Sequence, residues 1–244
     1  MNLTAKNYLV TGAGVRVGAT IARRLAGAGA GVVIHYRTSE RAALDLRDSL
    51  IAEGHSAWAV QGELTGEAAC RRVMADAVSA AGSLDGLINN ASSFHKHTFP
   101  EIQEDTLLGE FSINLFAPIY LTRAFADCGR DGVVVNLLDR RIEANDPSCI
   151  PYSLSKKALA DFTRAAALAL APRIRLGGVC PGPVLPPPGE GLSYLADHAG
   201  TVPLASYPTP DQIADAVLYL IRQEGSTGQI LYVDGGQHLL GNGV

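Results

Sequence analysis

Three side chains in one stretch can move a proton. Tyr152 and Lys156 stand four residues apart in Tyr152-Ser-Leu-Ser-Lys156, and Asp139 lies thirteen residues before the tyrosine. On a helix, that spacing puts the phenol and the ammonium on one face, a turn apart. A free phenol has a pKa near ~10. A neighbouring ammonium favours the anion and makes the phenol a better proton donor in a transition state. Asp139 follows the apolar run Val133-Val-Val-Asn-Leu-Leu138, which reads as a buried strand, so the acid falls where a strand hands over to a loop. An acid there and a Tyr/Lys pair on the next helix can converge on one small molecule. The bland alternatives are a surface pair on a helix and an acid turned away onto Arg140 or Arg141.

The elements that must position these groups alternate along the chain. Residues 7–11 read as a short buried strand, followed by Gly12-Ala-Gly14-Val-Arg-Val-Gly18 and a helical pattern over 19–28. Strand, glycine turn and helix are the context in which a glycine loop holds a dinucleotide pyrophosphate, with free helix N–H groups facing it. The second strand, Gly31-Val-Val-Ile-His-Tyr36, runs into Arg37-Thr38-Ser39 with no acid before Glu40. An acid at that strand end binds a ribose 2′-hydroxyl; Arg37 with the Thr38 and Ser39 hydroxyls suits a 2′-phosphate instead. Arg16 can add a second positive charge, so the expected cofactor is NADP(H). The alternative is that Arg37 merely ends the strand and faces water.

Helix, strand and helix follow over 40–53, 57–60 and 66–81, with Glu63-Leu64 at the carboxyl end of that strand. A fourth strand, 84–89, closes with Asn89-Asn90-Ala91-Ser92-Ser93-Phe94, on the side of the sheet where such folds bind ligands. Residues 104–127 read as one long helix containing Asn114, a solvent residue or a mild kink. The Tyr152 helix runs to about 171, and a sixth strand, 173–179, ends at Pro181-Gly182-Pro183. Residues 183–209, rich in Pro and Gly, read as a lid over the site. A helix over 211–222 and a strand over 229–233 complete the pattern. His95 and His97 lack further ligands at zinc spacing, so no metal is expected; a mobile loop face is the reading preferred. This alternation predicts an α/β fold, one doubly wound parallel sheet with helices on both faces, as a single domain over 1–244.

With 244 residues, 47% of them hydrophobic and 18% charged, the chain has a globular composition. A net charge of −4 without a basic run argues against nucleic acid or an anionic membrane as partner. The amino terminus enters a strand almost at once, which predicts no signal peptide. Cys70, Cys128, Cys149 and Cys180 are scattered, as expected for free thiols in a reducing cytoplasm.

In this order, Thr11-Gly-Ala-Gly-Val-Arg-Val-Gly18, Asn89-Asn-Ala91, Asn114, Tyr152-Ser-Leu-Ser-Lys156 and Pro181-Gly182 resemble the short-chain dehydrogenase/reductase family over nearly the whole chain. The resemblance implies a seven-stranded Rossmann sheet, NAD(P)-dependent hydride transfer and a homotetramer or dimer. It makes Tyr152 the proton donor, Lys156 the group that lowers its pKa and binds the nicotinamide ribose, and Asn114 part of a water-linked proton path. The cofactor-binding set it implies is Gly12, Arg16, Val17, Gly18, Tyr36, Arg37, Thr38, Ser39, Glu63, Leu64, Asn90, Ala91, Ser92, Tyr152, Lys156, Pro181, Gly182 and Val184.

Three departures are informative: Arg16 for a middle glycine, Asp139 for a serine, and Ser92 for a glycine after Asn-Asn-Ala. With His35-Tyr36-Arg37-Thr38-Ser39 and Ser92-Ser93-Phe94 they are similar to the pteridine reductase branch. That likeness implies a pterin site built from Arg16, Ser92, Phe94, Asp139 and Tyr152, with Phe94 stacking on the pterin opposite the nicotinamide. A fourth departure, Gly177 for an Asn, touches none of these roles.

An ionised Asp only accepts hydrogen bonds. It repels a developing alkoxide and raises the pKa of a nearby tyrosine. Asp139 is therefore a poor part for a ketone reductase. It suits a substrate presenting N–H donors, such as the amino-pyrimidine edge of a pterin, and a tyrosine that stays protonated to serve a ring nitrogen. The expected activity is NADPH-dependent reduction of a dihydropterin or related pterin. The alternatives are a carbonyl reductase, such as one acting on a 3-oxoacyl thioester, and a non-catalytic NADPH-binding protein.

Overall fold

The protein is described by a computed structural model covering residues 2–187, 189–191 and 193–241. Strands β1 (Asn7–Val10), β2 (Gly31–Tyr36), β3 (Ala57–Gln61), β4 (Gly86–Asn89), β5 (Gly132–Leu137), β6 (Ile174–Pro181) and β7 (Gln229–Val233) form one sheet in the order β3-β2-β1-β4-β5-β6-β7. Every pairing is parallel. The doubly wound parallel sheet expected from the alternating pattern is therefore present, with the seven strands that the family resemblance implies.

Its inner strands are buried on both faces, and neighbouring residues serve opposite layers. On one side, Val32, Ile34, Val133 and Val135 pack with α1 (Arg16–Gly27), α2 (Glu40–Ala52) and α8 (Pro210–Arg222). On the other, Leu9, Val33, Leu87 and Val134 pack with α3 (Glu67–Ala81), α5 (Ala117–Asp127) and α6 (Ile150–Leu170). In α1 the buried set Gly18, Ile21, Ala22, Leu25 and Ala26 traces one stripe at helical spacing. Among the described residues, no helix is long and apolar enough to cross a membrane.

Two elements differ from the sequence reading. The long helix expected over 104–127 is interrupted: α4 (Glu104–Phe111) passes through a π-helical turn, Ser112–Phe116, before α5. The turn carries Asn114, which is fully buried rather than solvent-facing. Its amide has buried partners waiting, which sequence spacing does not reveal. The Pro/Gly-rich segment 183–209 contains a short helix, α7 (Ser193–His198). Residues 188 and 192 of that segment lie outside the described residues.

A buried polar bridge fixes α6 to the sheet. Asn136 Nδ2 donates to Thr163 Oγ1 at 2.8 Å, and Asn136 Oδ1 accepts from Asn89 Nδ2 at 2.8 Å. All three side chains are buried, so loss of the middle one leaves the Asn89 amide donor and the Thr163 acceptor without good partners. We expect Asn136→Ala to cost about 1–3 kcal/mol, seen as a lower urea midpoint at unchanged slope.

Candidate active site

Asp139 lies just beyond the end of β5 and caps the short 3₁₀ turn Arg140–Glu143. Tyr152 lies in the first turn of α6, where Pro151 supplies a preset φ and no wasted N–H. The two meet: the Tyr152 hydroxyl donates to Asp139 Oδ2 at 2.9 Å. Lys156 lies one turn on, its Nζ 5.9 Å from the Tyr152 ring centroid, and donates to the Leu137 carbonyl at 2.8 Å. Tyr152 and Lys156 are both buried, which removes the surface-pair reading.

Burial and the Asp139 carboxylate hold the Tyr152 phenol well above its ordinary value. The direction is opposite to the one the family likeness implied for Lys156 alone, because desolvation and the acid outweigh the nearby cations. Burial also brings Lys156 down to about 8, against the attraction of Asp139. A protonated phenol beside a cationic lysine is the state these groups favour near neutral pH.

Phe94 stands edge-on to Tyr152, with ring centroids 4.7 Å apart and planes at 84°. It remains 45% exposed, so aromatic surface is open beside the phenol. The loop carrying it is fastened from below. Asn114 Oδ1 accepts from Ser92 Oγ at 2.7 Å and from the Ser93 N–H at 3.1 Å, while its Nδ2 donates to Glu110 at 2.7 Å. Glu110, almost fully buried, also accepts from Ser93 Oγ at 3.1 Å and pairs with His95 Nδ1 at 2.6 Å. Asn114 thus spends its side chain on the 92–93 loop and on Glu110. Sequence reading missed Glu110; its i, i+4 spacing to Asn114 was the available signal. His95 belongs to this network, with the His97 ring 6.2 Å away.

A cleft of about 390 Å³ opens at the carboxyl ends of β1, β2 and β4. Gly12, Arg16, Val17, Gly18, Tyr36, Arg37, Thr38, Ser39, Leu64, Asn90, Ala91 and Ser92 line it, as the sequence reading expected. Glu63 does not. Its side chain is exposed, and its neighbours Gly62 and Leu64 face the cleft instead, as alternation along an extended segment dictates. Val15, His35, Ser93 and Ile113 line it without having been foreseen.

The cleft fits a dinucleotide in three respects. A Cβ at Gly18 would lie 2.4 Å from the Gly12 carbonyl, so only glycine lets the loop close this tightly. Among the described residues, no side chain caps the start of α1, which leaves its first amides available to a phosphate. Arg37 and Thr38 sit exposed at the cleft where β2 ends; among the described residues that line the cleft none is acidic, and the nearby Glu40 pairs with Tyr36.

Arg16 adopts φ +55°, the left-handed region natural to the glycine it replaces. Its guanidinium donates to the Pro186 carbonyl at 2.9 Å, joining the glycine loop to the segment after β6. There Gly182 serves packing: a Cβ would lie 2.7 Å from Asp234 Cα. Pro181 ends β6, and Val184 packs against the core on the α1 side. The two halves of the site also join through one loop, since Ser92 and Ser93 line the cleft while Phe94 touches Tyr152.

A Rossmann-like parallel sheet, a glycine loop at its carboxyl edge and a Tyr/Lys pair beside the cleft define a nucleotide-dependent oxidoreductase scaffold. The chain belongs to the short-chain dehydrogenase/reductase family: residues 12–238 match a family model described as enoyl-(acyl carrier protein) reductase. A Streptomyces violaceoruber protein assigned as ketoacyl reductase 2 of the granaticin polyketide synthase is 32% identical, covering 95% of this chain and 96% of its own. The solved structure of FolM alternative dihydrofolate reductase 1 from Brucella canis, complexed with NADP, superposes with a TM-score of 0.92 at 32% identity, covering 98% of this chain and 96% of that one. A blue fluorescent protein from a metagenomic library, in complex with NADPH, gives 0.88 at 31% identity, covering 97% and 99%.

His35 shapes the cleft from behind. Its Nδ1 accepts the Gly12 N–H at 3.2 Å, which places the ring proton on Nε2, 3.1 Å from the Gly62 carbonyl. Burial pulls its pKa down to about 4, with the Gly62 carbonyl opposing. Below the unfolded value of ~6.5 only the unfolded chain takes up the proton, so stability falls as pH drops toward the folded value. The full loss is about 3 kcal/mol. We expect His35→Asn to remove this contribution, so that between pH 7 and pH 4 wild type loses about 2–3 kcal/mol more than the variant in urea titrations.

Proposed function

We propose that this chain is an NADPH-dependent reductase of a dihydropterin or a closely related pterin. The observation that carries the reading is the hydrogen bond from Tyr152 to Asp139. An acceptor-only group beside the proton donor disfavours a developing alkoxide and favours a substrate edge bearing N–H donors. The dihydrofolate reductase neighbour solved with NADP supports the substrate class and the cofactor.

Gly12, Gly18, Asn90 and Ala91 would cradle the cofactor pyrophosphate and adenosine, and Arg37, Thr38 and Ser39 its 2′-phosphate. Lys156 would hold the nicotinamide ribose. When bound there, NADPH supplies the hydride. Phe94 offers its open face to the flat heterocycle, and Arg16 and Ser92 border it. Asp139 accepts from the amino-pyrimidine N–H groups and orients the ring. Tyr152, kept protonated by burial and by Asp139, gives its proton to the ring nitrogen adjacent to the reduced carbon. Lys156 then stabilises the tyrosinate left behind until solvent returns the proton.

A second reading is supported by the ketoacyl reductase relative: reduction of a carbonyl such as a 3-oxoacyl thioester. One assay separates the two. NADPH consumption is followed with dihydrobiopterin, dihydromonapterin, dihydrofolate and a 3-oxoacyl thioester. We expect turnover of a pterin, a loss of about 100-fold or more in Tyr152→Phe, and collapse of pterin reduction in Asp139→Ser. Turnover of the thioester alone, unchanged or improved in Asp139→Ser, would sink the pterin reading.

The cofactor assignment has its own test. Arg37→Ala removes a charge-assisted contact to the 2′-phosphate, so the KM for NADPH should rise roughly 10- to 100-fold while that for NADH barely moves. Equal effects on both would mean that Arg37 faces water.

A further inference from the structure

We infer that Arg141 is a positioning residue for this reduction, its guanidinium fixing the Asp139 carboxylate and the Phe94 ring relative to each other. The inference rests on reading the site as a reductase centre and adds to it a residue outside the Asp/Tyr/Lys set.

The local fold puts Arg141 between the two groups. Asp139 caps the 3₁₀ turn, so the Arg141 N–H donates to Asp139 Oδ1 at 2.8 Å. The turn then folds the side chain back, with Nη1 3.4 Å from both Asp139 oxygens. Its Cζ lies 5.3 Å from the Phe94 ring centroid. The far edge is pinned: Arg141 Nε donates to the buried Asp146 Oδ2 at 2.9 Å. Asp146 is itself held through Oδ1 by the Ser148 N–H at 2.9 Å and by Ser148 Oγ at 2.6 Å. The guanidinium is therefore an inelastic spacer, anchored at one end and reaching the acid and the aromatic ring at the other.

Charge makes the same point. The groups acting on Asp139 from its surroundings include Tyr152 and Lys156 of α6, the Cys180 thiol of β6, and Arg140 and Arg141 of its own turn. Lys156 is bound to the Leu137 carbonyl. Among the described residues, Arg141 is the cation that touches the carboxylate directly, and Oδ2 also takes the Tyr152 hydroxyl. Burial disfavours the Arg141 charge, but Asp139 and Asp146 outweigh it and keep the guanidinium cationic. A planar guanidinium can lie against a ring while separate nitrogens reach two carboxylates, here Nη1 to Asp139 and Nε to Asp146; an ammonium cannot do both.

The test is a double-mutant cycle between Arg141→Gln and Asp139→Asn, with Arg141→Lys as the conservative variant. Rates are measured on the pterin that wild type reduces best, and NADPH affinity by fluorescence titration. We expect Arg141→Gln to lower kcat about tenfold or more and leave NADPH affinity within about twofold. Arg141→Lys should recover part of the rate, because charge returns without the planar fork. In the Asp139→Asn background, Arg141→Gln should cost less than about twofold, because the group it positions is already altered. Independent, multiplying losses would overturn the inference, as would a fall in NADPH affinity that matches the fall in rate.

If wild type reduces no pterin, the functional reading fails separately, and the same cycle is read on the 3-oxoacyl thioester. If neither substrate turns over, crystal structures of wild type and Arg141→Gln decide. Displacement of Phe94 and loss of the Asp139–Tyr152 contact would uphold the positioning role; unchanged geometry would refute it.

Discussion

A carboxylate and a phenol packed 2.9 Å apart and largely buried need compensating positive charge. Asp139 receives it from two directions: Arg141 on its own turn, and Lys156 from the helix opposite. Much of the local architecture serves this balance. The strand end sets the acid at the sheet edge, the capped 3₁₀ turn bends Arg141 back over it, and Asp146 keeps that arginine from swinging into solvent. The same pairing decides the chemistry. A phenol donating to an acid stays protonated, and the carboxylate serves as its acceptor.

The second constraint is close approach. Parallel strands deliver their carboxyl ends to one edge, and the helices that return the chain begin there. The loop after β1 must clear the α1 amides, the β4 end and the β2–α2 turn together. Gly18 meets that demand by having no side chain, and Arg16 by adopting φ +55° at some backbone cost. In return, Arg16 brings a cation to the cleft and a tether to Pro186. His35, kept neutral by burial, holds this loop against the segment after β3.

The substrate side is organised by a different device. Loop 92–95 is not held by the sheet but hangs on Asn114 and Glu110, presented by α4 and the π-helical turn after it. A π-turn widens the helix and changes which side chains face inward. Here it carries a polar amide fully into the interior, where the serines of the loop and a buried glutamate satisfy it. Cleft and aromatic platform are thereby carried by one short segment.

Local pattern alone determined the parallel sheet, the glycine loop, the cationic end of β2 and the Tyr/Lys helix face. Each depends on spacing within a few residues, and spacing of that kind is set by backbone geometry. Asp139 was legible as a strand-end acid, but its partner was not. The acid does not turn away from the site: one oxygen takes Tyr152 while the carboxylate also pairs with Arg141. Only the tertiary structure decided that, and it decided three further matters. The Tyr152 pKa goes up because burial is a property of the packed whole. Asn114 turns inward because Glu110 and loop 92–93 are there to meet it. Glu63 is exposed while its neighbours line the cleft. In each case the deciding quantity is the dielectric surroundings or the approach of a residue distant in sequence, and neither is written in local spacing.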